Sequence, residues 1–205
     1  MRPASEAYED VSRETSDRLS RFAELLRRWN PTINLVSRTT VDALETRHIL
    51  DSAQLFDLMP TGAQTWVDLG SGGGFPGLVI AILAAEQAPA LRVTMIESDR
   101  RKATFLSAVI RELQLTQAGV LVERIESAPP QHADVVSARA LAPLKDLLAY
   151  AERHLAPEGV ALFPKGATRD DLDAALASWR FDVQKIGSRT DPDAVILKIG
   201  GIARV

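Results

Sequence analysis

The 205-residue chain contains no cysteine. That absence removes disulfides, thiolate–zinc sites and iron–sulfur clusters together, along with any mechanism built on a cysteine nucleophile. Basic excess is missing too. Against 27 Asp and Glu stand 24 Lys and Arg, a formal net charge of −3, which argues against indiscriminate nucleic-acid binding but allows a local basic face. Long apolar runs are also absent: the longest, residues 78–85, is far too short to cross a bilayer. The first twenty residues are acidic and polar, without the apolar stretch of a secretory signal. A soluble, cytoplasmic, monomeric protein with no membrane partner is expected. Only three histidines occur, and their spacing offers no metal site.

What remains is ordinary globular material, 46% hydrophobic and 25% charged, enough for one core and a modest extension. Residues 1–60 lack strand-like runs and read as a helical N-terminal extension. Leu19, Phe22, Leu26 and Trp29 recur at helical spacing, with Leu25 beside them. This helix should stop near Asn30-Pro31, because proline restricts the residue before it. A second helical pattern runs through Val41, Leu44, His48, Ser52 and Leu55, with Thr40 as its N-cap. Pro60-Thr61-Gly62 breaks that pattern and opens a second unit, residues 61–205.

In that unit β-rich runs at 66–69, 91–96, 120–123, 134–137 and 160–163 alternate with helical runs at 75–86, 100–113 and 144–154. Such alternation implies a mostly parallel, doubly wound α/β sheet with right-handed crossovers. Runs at 181–186 and 194–199 leave no room for a helix between them, so they should close a seven-stranded sheet as an antiparallel hairpin.

The stretch DLGSGGGFPGL, from Asp68 to Leu78, sits between the first strand and its helix. Glycines there tolerate positive φ and let a ligand approach backbone amides at the strand ends, where open α/β sheets bind ligands. Read from Gly72, the loop fits the dinucleotide pattern G-x-G-x-x-G. Read from Asp68, it is D-x-G-x-G-x-G, the loop of methyltransferases that use S-adenosylmethionine (SAM). Glu97, ending the second strand, can accept from ribose hydroxyls under either reading. Ile125-Glu126, after the third strand, can bracket an adenine. Three features favour SAM over an NAD(P)-dependent oxidoreductase. An acid at Asp68 suits a cationic ligand better than a pyrophosphate. About 140 residues are too few for a second nucleotide half and a substrate domain. The closing hairpin is the usual ending of SAM-dependent folds.

The fourth strand ends Ser137-Ala138-Arg139-Ala140-Leu141, without the polar-Pro-Pro-aromatic loop used for exocyclic amines. With no cysteine, methylation at pyrimidine C5 is also unsupported. What survives is an atom already nucleophilic: guanine N7, a carboxylate or an activated oxygen. Arg139 offers a planar fork for the SAM carboxylate or a guanine edge; a salt bridge to Asp134 or Glu126 is its alternative.

The same loop, with LLRRWNPTINL (25–35), RHILDS (47–52), SDRRKATFL (98–106) and SARALAPL (137–144), resembles the bacterial ribosomal RNA small-subunit methyltransferase G family, also called GidB. The resemblance spans residues 25–166. It implies a class I SAM-dependent methyltransferase fold acting on N7 of a guanine in 16S rRNA, position 527 in rRNA numbering. Another RNA, a protein or a small molecule remains the alternative substrate. By motif, SAM contacts fall on Gly70, Phe75, Ile125, Glu126 and Arg139, with Asp68, Gly72 and Glu97 completing the cofactor set. No general base is required. His48, Asp51 and Lys165 are cleft candidates, His48 and Asp51 sharing one helical face, where they can equally fix the extension onto the sheet. Trp29 and Asn34 read as packing and turn residues. Contacts to 16S rRNA or the small ribosomal subunit are expected from Arg27, Arg28, Arg38, Arg47, Arg100, Arg101, Lys102 and Lys165.

Overall fold

The computed structural model describes residues 11–37, 39–166 and 170–205. Arg38, one of the basic groups singled out, lies outside them. Seven strands form one sheet in the order β3-β2-β1-β4-β5-β7-β6. β1 (Thr65–Leu69), β2 (Arg92–Ile96), β3 (Ala118–Leu121), β4 (Ala133–Ser137) and β5 (Leu155–Lys165) are parallel. β7 (Val195–Arg204) runs antiparallel between β5 and β6 (Trp179–Gly187). The connecting helices are α3 (Gly77–Gln87), α4 (Arg100–Glu112), α5 (Leu144–His154) and α6 (Asp170–Leu176).

Alternation along the strands feeds two apolar layers. Trp66 and Val135 join the layer with Leu78, Ile80 and Phe105, whereas their neighbours Val67 and Val136 join Leu147, Leu148 and Phe163 on the opposite face. Burial on both faces explains why the central strands are continuous apolar runs. α3 is buried along nearly its whole length because α1 (Arg13–Ile33) covers it: Leu19, Phe22 and Leu26 are fully buried in that layer. The Phe22 ring lies 5.2 Å from Phe75, and Trp29 lies 5.7 Å from Phe105.

α1 passes the expected stop at Asn30-Pro31 and ends at Ile33, with Pro31 inside it. Proline this late removes only one donor from the final turn. Asn34 then adopts φ 51 and donates its N–H to Asn30 O. The buried Asn30 side chain accepts from the backbone N–H groups of Leu35 at 2.7 Å and Val36 at 2.9 Å. Asn30→Ala strands both donors, so a loss of about 2–4 kcal/mol is expected. Thermal unfolding should show it as a Tm lowered by roughly 5–10 °C.

The second helical pattern is not one α-helix. It is a 3₁₀ turn (Val41–Ala43), a π-helical turn (Glu45–Leu50), a single α turn, α2 (Asp51–Ala53), and another 3₁₀ turn (Phe56–Leu58). Thr40 does not cap it: its φ/ψ of −107°/−5° is helical rather than extended, and its hydroxyl donates to Ser37 O. β3 begins and ends two residues earlier than its β-rich run, because its register is set by parallel pairing with β2, Val93 to Ala118. α6 was not expected. No helix among the described residues is long and apolar enough to cross a membrane.

Candidate functional site

The parallel strands β1 to β4 end along one edge, in register Leu69 to Ile96, Ile96 to Leu121 and Asp68 to Ser137. The loops that follow them enclose a cleft of about 320 Å³, whose lining includes Gly70, Gly72, Glu97, Ile125, Glu126 and Arg139. Six of the eight expected cofactor residues, drawn from four separate loops, therefore share one recess.

Glu97 is nearly buried. One carboxylate oxygen accepts from the Gly72 N–H and the other from the Asp99 N–H, each at 2.8 Å. Each oxygen keeps a lone pair for a hydroxyl in the cleft. Gly70 has φ 64, a left-handed conformation that favours glycine, whereas a Cβ there would meet only the movable end of the Leu141 side chain. The Ile125 segment is held from behind by α5. His154 bonds Ile125 O at 2.9 Å, and Arg153 donates twice to Ala128 O. Tyr150 donates its hydroxyl to Glu126 at 2.9 Å and lines the cleft itself. Tyr150, Leu141 and Lys102 are lining residues that sequence reasoning did not assign to the cofactor; the helical phase of α5 was the one available signal for Tyr150.

Two expected cofactor residues are placed differently. Asp68 is fully buried and turned beneath the loop rather than into the cleft. Its carboxylate accepts from Ser137 Oγ at 2.8 Å and from the Gly77 N–H at 3.1 Å. Ser137 Oγ in turn accepts from the Trp66 indole N–H at 2.9 Å. Burial pushes the Asp68 carboxyl up to about 6, against the hydrogen bonds from Ser71, Ser137 and Gly77. An acid at the strand tip thus organises the loop, because the donors it meets are structural ones. Phe75 likewise faces inward, stacked on His48 at 5.1 Å with the Arg139 guanidinium 5.1 Å above the same ring.

Arg139 and Ala140 also line a second, adjoining cleft of about 490 Å³, with Arg47, Asp51, Lys165 and Thr190 among its walls. Arg139 pairs with neither Asp134 nor Glu126. Asp134 accepts from the Gln64 and Thr65 N–H groups, and Glu126 from Tyr150. Arg139 reaches across to the extension instead: His48 Nδ1 at 2.5 Å, Arg47 O at 3.2 Å and Asp51 at 3.5 Å. Asp51 also accepts from Thr190 Oγ and Gln54, joining the β6–β7 hairpin to the same cluster. Lys165 donates to Ala142 O at 3.0 Å. Among the other basic groups, Arg27 is paired with Glu45 and Arg101 with Asp99, while Arg28 and Arg100 are exposed. Among the described residues no cluster of His, Asp and Glu could hold a metal ion.

Residues 15–188 match the family model described as rRNA small subunit methyltransferase G, GidB. Relatives called ribosomal RNA small subunit methyltransferase G are similar to the chain over nearly its full length. That of Cereibacter sphaeroides is 55% identical over 197 residues, covering 96% of this chain and 95% of its own. That of a Ruegeria species is 56% identical with the same coverage. That of Paracoccus denitrificans is 50% identical over 193 residues, covering 94% and 97%. Among solved structures, a methyltransferase from Geobacter sulfurreducens superposes with a TM-score of 0.59 at 18% identity, over 90% of this chain and 88% of that one. A TehB-like SAM-dependent methyltransferase from Corynebacterium glutamicum gives 0.56 at 16% identity, over 89% and 98%. The likeness to these structures shows the class I methyltransferase fold, and the sheet of this chain ends in the antiparallel strands β7 and β6.

Proposed function

This chain belongs to the rRNA small subunit methyltransferase G family, and from that premise we propose that it methylates N7 of a guanine in 16S rRNA, position 527 in rRNA numbering, with SAM as donor. The observation that carries the reading is the junction at Arg139 and Ala140, where a small recess on the strand ends adjoins a larger one lined by Arg47, Arg139 and Lys165 together with Asp51 and Asp191.

The residues of the smaller recess fit SAM. Glu97 has free lone pairs for a ribose diol, and Ile125 and Leu141 give apolar cover for a purine. Gly70 and Gly72 keep side chains off the loop, and Arg139 supplies a cation for the carboxylate. When bound, SAM supplies an electrophilic methyl group on a sulfonium centre. Guanine N7 carries an in-plane lone pair and no proton, so the chain needs no general base. Its work is alignment, which can be worth roughly 7–11 kcal/mol. Arg47 and Lys165 line the larger recess, where the RNA strand and its phosphates approach; Asp51 on the same wall is engaged with Arg139, Thr190 and Gln54. The extension contributes Arg47 and Asp51 to the RNA-side wall, and residues 61–205 are the domain that performs transfer. The enzyme works in the cytoplasm as a monomer on the small ribosomal subunit.

Purified protein with SAM should restore the missing methyl group on 16S rRNA or small subunits from a deletion strain, mapped at N7 of the target guanine. No transfer to any ribosomal fraction would sink the reading. Within the recess, Glu97→Ala should weaken SAM binding roughly 10–100-fold, the loss of a charged acceptor; an unchanged Kd in calorimetry removes Glu97 from the site.

A further inference from the structure

We propose that His48 is the positioning residue for Arg139, fixing the guanidinium at the junction of the two clefts through its unprotonated Nδ1. The proposal rests on the reading of Arg139 as a cofactor-binding residue. A guanidinium has only donors, so at 2.5 Å from Arg139 Nη2 the Nδ1 atom must accept. The ring is then neutral and carries its hydrogen on Nε2.

The surroundings hold that state. Burial and the neighbouring guanidiniums of Arg139 and Arg47 press the imidazole down to about 4. Phe75 floors the arrangement, with His48 stacked on its ring and Arg139 above it. The other anchors of Arg139 are weaker by geometry. The Arg47 carbonyl is at 3.2 Å and Asp51 Oδ2 at 3.5 Å, while Thr190 and Gln54 hold the other oxygen of Asp51.

His48 Nε2 is buried without a partner. An orphaned buried donor costs free energy that an apolar ring of similar size does not. Packing alone therefore gives no reason for an imidazole here, and the Nδ1 contact does. The wide π-helical turn over Glu45–Leu50 carries both His48 and the Arg47 carbonyl, so a single turn of the extension aims the arginine.

The test uses the full-length protein and SAM in calorimetry. His48→Phe keeps the ring stack and removes the acceptor. Its Kd should rise about tenfold or more, the range for losing one hydrogen bond to a charged group, with Tm held or raised. In an Arg139→Gln background the same change should add less than about twofold. A Kd within twofold of wild type for His48→Phe, or losses that simply add in the double variant, overturns the positioning role. An unchanged Kd for Arg139→Gln alone overturns the reading of Arg139 and the proposal with it. Should His48→Phe lower Tm, His48→Asn decides, because its amide oxygen can stand near the Nδ1 position. Recovery to within about threefold supports the role, and a loss as large as that of Phe overturns it. Nitrogen-15 NMR should find the Nε2–H tautomer at neutral pH; the Nδ1–H tautomer overturns the proposal.

Discussion

Asp68→Ala is expected to cost about 3–5 kcal/mol of stability and to abolish measurable SAM binding. The substitution leaves the Gly77 N–H and the Ser137 hydroxyl buried without acceptors, each worth about 1–3 kcal/mol. It also opens a void under the glycine loop, where Gly77 approaches so closely that a Cβ there would meet Asp68 Oδ2 at 2.8 Å. Chemical denaturation and calorimetry measure the two losses separately. A variant that loses binding but keeps full stability would show that Asp68 acts on the ligand and not on the loop. The pH dependence gives a sharper check. The folded-state pKa of Asp68, about 6, lies above the ordinary carboxylate value of 3.8, so the folded protein holds the extra proton between those values. Its contribution to stability is therefore complete below about pH 4 and is lost as pH rises through 6. That difference amounts to about 3 kcal/mol. His48 shifts in the opposite direction over an overlapping window, so the wild-type curve alone hides the effect. Against Asp68→Asn, which cannot titrate, the wild-type advantage should widen by about 3 kcal/mol from pH 7 to pH 4; a constant gap refutes the assignment.

Much of the scaffold was legible because local chemistry and global fold agree on it. α5 begins after Pro143 and ends at His154 as its apolar period implied, and the terminal strands had no length for a crossover helix, so they pair antiparallel. The acidic landmarks Glu97 and Glu126 follow strand ends, where topology alone brings loops together. What was hidden depends on partners distant in sequence. The side-chain direction of Asp68 is decided by Ser137, 69 positions away. Arg139 finds His48 across 91 positions, and no periodicity in either segment marks that contact. The proline rule failed at Pro31 for a physical reason: Asn30 satisfies backbone donors beyond the helix, so the last turn need not end early. The π-helical turn escaped detection because its apolar residues, Ile49 and Leu50, also fit an ordinary helix.

Arg139→Gln is the change expected to damage transfer most without unfolding the protein. The guanidinium is only 17% exposed by side chain, and it spans three elements. Its charge is opposed by burial and sustained by Asp51 and, farther off, Asp68. Removing it leaves Asp51 without its cation, uncovers the Phe75 ring and takes away the wall common to both clefts. Losing charged hydrogen bonds of about 1.5–3 kcal/mol each should lower kcat/KM by roughly 100–1000-fold. Part of the loss should appear as weaker SAM binding in calorimetry, and the rest as a lower rate at saturating SAM, because alignment at the junction suffers even when both ligands are present. Arg139→Lys should restore little: a single ammonium cannot reach His48 Nδ1, the Arg47 carbonyl and Asp51 from one position as a planar fork does. Transfer kinetics on 16S rRNA check both variants. If lysine restores activity to within about fivefold, charge alone suffices at the junction, and the fork geometry imposed by the extension has no part in catalysis.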